Sequence, residues 1–157
     1  MQVMTSANFA LRRNVFESVQ GFYAGYTHYG FEDHDLLQRL RNAGYAIRFC
    51  ANAVASHEHD DTLGGLCHKL NTSARYSAPL FMQRHPRVYA ALSYARVDMR
   101  LHPALRYLNW LGAPLLPVLI AMGERCVHWP LPYKLKKLYA QGVMALAYLS
   151  GSAQQGG

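Results

Sequence analysis

Acidic residues are scarce beyond residue 64, where only Asp98 and Glu124 face eleven Lys and Arg. A half-chain so short of acids is directed toward phosphates, whether of nucleic acid, anionic lipid or a nucleotide. Cysteine is also sparse. Cys50, Cys67 and Cys126 are odd in number and widely separated, which excludes a disulfide framework and a zinc ribbon and points weakly to a reducing compartment. Neither HExxH nor CxxC occurs, so a self-contained zinc site is not supported. The opening residues have no basic stretch followed by a long apolar run, so export is not expected. No internal repeat is present.

What is present is a chain of 157 residues with 51% apolar content. That suits one domain, or a small domain with an appendage, and argues against disorder. The net charge of +7 hides an acidic patch, since six of the nine acids lie between residues 32 and 61. Residues 3–13 read as a short strand entering a turn, and 14–20 as a short helix with Asn14 as its cap. Gly21, Gly25 and Gly30 punctuate an aromatic loop. Leu36, Leu37, Leu40 and Ala43 recur at helical spacing, with acids in the first turn, Arg39 and Arg41 later and Gly44 at the C′ position. That spacing predicts a helix over about 32–43. A strand is expected at 45–50 and a second short extended segment at 53–57, which makes residues 1–64 mixed α/β. Beyond residue 65 seven prolines separate helical stretches, and residues 151–157 read as a polar tail.

Three clusters could carry chemistry. Glu32, Asp33 and Asp35 suit the start of a helix, where acids complement the dipole. The same mounting holds a carboxylate rigidly and partly exposed, as a general base requires. His57 and His59, two apart on an extended segment, project to one face and suit Mn²⁺ or Zn²⁺ better than Ca²⁺; for such a pair alone, a solvated polar loop with incidental histidines is the favoured reading. Tyr23, Tyr26 and Tyr29 could stack on the apolar face of a sugar or fill the edge of the domain.

Asn-Phe-Ala-Leu-Arg-Arg (8–13), Phe16 through Gly21-Phe22, the run Tyr29-Gly-Phe-Glu-Asp-His-Asp-Leu-Leu-Gln-Arg-Leu-Arg-Asn-Ala-Gly-Tyr (29–45), and Ala53-Val54-Ala55-Ser56-His57 occur in order. This series resembles the C-terminal part of the GT-A catalytic domain of inverting family 2 glycosyltransferases, and the galactosyltransferase C-terminal module. The resemblance implies a partial GT-A α/β (α+β) domain over 1–64, followed by a mainly α-helical region over 65–150. It implies that Asp33, or else Glu32, deprotonates the acceptor hydroxyl. Asp35, His34, Tyr29, Gly30 and Phe31 would bind the acceptor, and His57, with His59 as fallback, would complete a divalent metal site (Mn or Mg). His34 stands where relatives often carry an acid, and Gln20 replaces a usual glycine. The family's nucleotide-binding half and its Asp-x-Asp motif should precede Ala7, so the metal is expected only with that half, and the chain is expected to be inactive alone.

The implied partners are a nucleotide-sugar donor, a glycan or lipid-linked acceptor and a separate nucleotide-binding chain. Peripheral contact with an anionic membrane, on its cytoplasmic face, is expected through 104–122 and 134–149. A span over 104–122 is the less favoured reading because prolines and Arg106 interrupt it, and an ordinary helical core is the plainer one. Two rivals remain. One is a non-catalytic basic module using Arg75 to Tyr107 on nucleic acid, disfavoured because no glycine-aromatic sheet motif accompanies it. The other is a degenerate glycosyltransferase remnant.

Overall fold

A computed structural model describes residues 6–56, 58, 61–126 and 128–154. Its helices are α1 (Arg13–Ser18), α2 (Glu32–Asn42), α3 (Leu63–Thr72), α4 (Ala78–Arg84), α5 (Pro86–Ala90), α6 (Arg106–Gly112), α7 (Leu116–Cys126) and α8 (Tyr133–Ala153). A π-helical turn, Ser73–Ser77, joins α3 to α4, and 3₁₀ turns fill several connections.

Among the described residues there is no strand, so the expected α/β architecture of residues 1–64 is not formed. Within 3–13, Ser6–Asn8 form a 3₁₀ turn and Arg13 begins α1, while 45–50 and the described residues of 53–57 form no regular element. A strand exists only when a neighbour accepts its backbone hydrogen bonds, and among the described residues no second strand lies beside these segments. Two of their apolar side chains stay uncovered, Phe49 82% and Val54 86% exposed, while Phe9, Leu11 and Ile47 are half-buried. The protein is mainly helical.

Local rules explain most helices. Thr62 caps α3 by accepting from Gly65 N at 3.1 Å. Pro79 and Pro86 sit in the first turns of α4 and α5, where a missing N–H costs nothing. Gly44 takes φ +84° just beyond α2. α8 runs to Ala153, so the tail expected from residue 151 is helical as far as 153. Its last turn is buried: a Cβ on Gly151 would lie 2.3 Å from the Asn71 carbonyl oxygen, and Ser152 Oγ accepts from Met99 N.

One core unites both sides of residue 64. Phe31 packs with Ala74, Ala78, Phe81, Tyr89 and Tyr148. A second cluster, Cys67 with Val143 and Ala147, seats Leu116, Leu119 and Ile120 of α7. Buried Asp98 accepts from Arg100 and from the Tyr89 hydroxyl, which also bonds Tyr148 Oη at 2.8 Å. This network ties α5 and α8 to the end of the 3₁₀ segment Ser93–Val97.

Candidate active site

The turn before α2 is set by two consecutive residues in the left-handed region, Gly30 at φ +102° and Phe31 at φ +69°. That conformation is rare for a residue with a side chain and persists only where packing enforces it. Here the Phe31 ring is clamped in the core, 5.1 Å from Phe81 and 5.7 Å from Tyr94. Gly30 approaches Ser73 so closely that a Cβ would lie 2.3 Å from its Oγ. Ser77 Oγ donates to the carbonyls of His28 and Tyr29, both at 3.1 Å. The loop from 28 to 31 is thus fixed on the π-helical turn, and it delivers Glu32 and Asp33 to the mouth of α2.

Asp35 anchors that helix from beneath. It is fully buried, accepting from Arg39 Nε at 2.7 Å on Oδ2 and from Arg84 Nε at 2.8 Å on Oδ1. His85 Nε2 lies 2.9 Å from the same Oδ1. Burial alone would push its carboxyl up. The hydrogen bonds from Arg84, His85 and Arg39 together outweigh that and hold it below its ordinary value. Arg39 also donates to the carbonyls of Val19 and Gly21, so one ion-pair group fastens α2, α4 and the end of α1.

The residues singled out in the sequence therefore divide. Glu32 and Asp33 are half-buried at the mouth of α2. Glu32 Oε2 is shielded from solvent and has no hydrogen-bond partner, and the same holds for the hydroxyl of nearby Tyr26. Burial, then the charge of Asp35, raises the Tyr26 phenol well above its usual range, so it remains a donor. Tyr29 is 55% exposed, with Lys69 Nζ 5.7 Å from its ring centre. His34 lies against Phe31 and Phe81, and burial keeps its imidazole below the ordinary value although Asp33 opposes this. Phe31 contributes its backbone turn rather than its ring. Tyr23 lies under the Arg84 guanidinium, 3.9 Å from ring centre to Cζ.

Metal binding finds no ready donor set here. Among the described residues no three His, Cys, Asp or Glu side chains come together. Both Asp35 oxygens are spent on cations and His85, so Asp33-His34-Asp35 does not offer two carboxylates to an ion. His57 and His59 lie outside the described residues.

The Arg84–His85 half of the clamp escaped the sequence, being 49 and 50 residues from Asp35. Arg39, one helical turn after Asp35, was the only local signal. The cations of the disfavoured nucleic-acid reading are partly consumed inside: Arg84 on Asp35 and Arg100 on Asp98.

The family model described as the N-terminal domain of galactosyltransferase matches residues 2–60, the part that carries α1 and α2 and ends just before α3. This supports a galactosyltransferase-related origin for that segment and, coarsely, glycosyl transfer as the class of chemistry. No curated protein and no solved structure matches the chain.

Proposed function

We propose that Glu32 and Asp33 form the acceptor side of an inverting glycosyltransferase site. Asp33 takes the proton of the attacking acceptor hydroxyl, while Glu32 accepts a hydrogen bond from a neighbouring hydroxyl of the same sugar and so orients it. The acceptor oxygen bonds to the anomeric carbon of a nucleotide-sugar as the bond from that carbon to the diphosphate oxygen breaks. The diphosphate leaves with the electron pair, and the anomeric configuration inverts. A positioned base of this kind contributes roughly 10²–10⁴-fold to rate.

The observation that carries this reading is Glu32 Oε2, a sheltered acceptor without a partner on a clamped helix inside the matched segment. Leaving such an atom unsatisfied costs about 1–3 kcal/mol, which a bound hydroxyl would recover. The exposed Tyr29 ring offers a stacking face for the sugar. Residues 7–11, 45–50 and Ala53 border an open groove of about 600 Å³ lined by Phe9, Leu11, Ile47 and Phe49. That uncovered surface suits the packing of a nucleotide-binding part, which would hold the donor.

The test is made on the protein as its gene encodes it, with a nucleotide-activated galactose as donor. Glu32→Gln is expected to raise the acceptor KM and leave the donor KM unchanged, and the product should have inverted anomeric configuration by NMR. Retained configuration, or a donor KM that rises while the acceptor KM stays fixed, overturns the assignment.

A further inference from the structure

The helical run Pro103–Cys126 is long and apolar enough, by length and composition, to cross a bilayer, yet none of it is fully buried. Its two faces differ. One face carries Gly112, Leu116, Leu119, Ile120 and Gly123, all half-buried. A Cβ on Gly112 would meet Leu146 Cδ1 at 2.7 Å, and one on Gly123 would meet Leu63 Cδ2 at 2.4 Å. The glycines therefore allow close docking on α8 and α3. Tyr139 Oη donates to Leu119 O at 2.6 Å, and Glu124 Oε1 accepts from Gly64 N at 3.0 Å.

The other face carries Tyr107, Trp110, Leu111, Leu115, Val118 and Met122, all exposed. Tyr107, Leu111, Leu115, Val118 and Met122 recur at intervals of three and four, with Trp110 beside them, so they form one stripe. Exposed apolar residues continue through Trp129 and Tyr133 into Leu138 of α8. A continuous apolar face on this scale is not left to water in a monomer.

Charge and aromatic content decide what covers it. Arg106, Arg125, Lys134 and Lys137 are exposed on the same elements. Of the two acids beyond residue 64, Asp98 is fully buried and Glu124 is bonded to the start of α3. A protein partner of ordinary composition would not require this combination. A layer with apolar interior and anionic surface requires both halves of it, with Trp and Tyr at the boundary. We propose that α6, α7 and the first turns of α8 lie in the plane of an anionic bilayer, inserting the Trp110–Met122 stripe while the cations meet lipid phosphates. The docked glycine face holds the run against α8, so it lies along the membrane instead of crossing it. This inference does not depend on the role of Asp33.

The chain supplies its own reporters, since its two tryptophans, Trp110 and Trp129, are 76% and 58% exposed on this surface. Purified protein is mixed with phosphatidylcholine vesicles, with or without phosphatidylglycerol, at low and high salt. With the anionic lipid, tryptophan emission should move to shorter wavelength and be quenched most by bromines placed shallow in the acyl chain. Binding should weaken as salt rises, and Lys134→Gln with Lys137→Gln should weaken it about fivefold per cation removed. Leu111→Asp should abolish insertion while helix content by circular dichroism stays unchanged. Unmoved emission with every vesicle overturns the proposal. So does a lipid-free dimer in which both tryptophans are already shielded, and quenching strongest at the bilayer centre overturns the in-plane arrangement.

Discussion

Replacing Asp35 by Ala removes the one acid that Arg39, Arg84 and His85 share. Two guanidinium groups then lose the buried carboxylate that both donate to. Removing one partner of a buried ion pair costs about 3–5 kcal/mol. The Arg39 and Arg84 side chains keep 18% and 28% exposure, so water relieves part of this and the lower end, about 3 kcal/mol, is expected. In a chain of this length that lowers Tm by roughly 6–12 °C. Denaturant unfolding followed by circular dichroism reads the loss directly. The surface pair Arg13–Glu17, with side chains 90% and 66% exposed, is the control, and breaking it should leave the midpoint unmoved. Asp35→Asn adds a pH readout. Because the Asp35 carboxyl is held below its ordinary 3.8 in the folded chain, its stabilisation is present above that value and disappears as pH falls through the folded value. The Asn variant should therefore show a shallower acid branch, although Asp98, depressed in the same direction, keeps some of it. An Asp35→Ala protein within about 1 kcal/mol of wild type would refute the clamp.

Two further outcomes test the loop and the helix it presents. Gly30→Ala must accept φ +102° and a Cβ 2.3 Å from Ser73 Oγ, so it should lose at least about 1–3 kcal/mol in denaturant unfolding. A neutral effect would contradict the turn. His34 is depressed from its ordinary 6.5, so below that pH the unfolded chain binds its proton more readily and stability declines until the folded value is reached. His34→Gln should flatten this part of the slope between about pH 7 and 5, and an unchanged slope would place the imidazole outside the aromatic cluster.

The sequence disclosed what is local. α2 was expected at about 32–43 and lies at Glu32–Asn42, because apolar period, first-turn acids and Gly44 all agree. The prolines marked helix starts at α4 and α5 for the same reason. A strand at 45–50 and an extended segment at 53–57 were inferred from composition, but apolar alternation cannot say whether a partner strand exists, and among the described residues none lies alongside. The left-handed turn at Phe31 was hidden too, since core neighbours distant in sequence, Phe81 and Tyr94 among them, hold it there. The same distance in sequence concealed Arg84 and His85. The acids at 32 and 33 could be singled out, whereas the division of labour that buries Asp35 and leaves Glu32 Oε2 without a partner required the fold.

The most direct measurement is kcat for sugar transfer at saturating donor, for the gene's full product and its Asp33→Asn variant. Proton removal by Asp33 predicts a fall of roughly 10²–10⁴-fold, with donor KM unchanged. A variant that turns over within about twofold of wild type would contradict it.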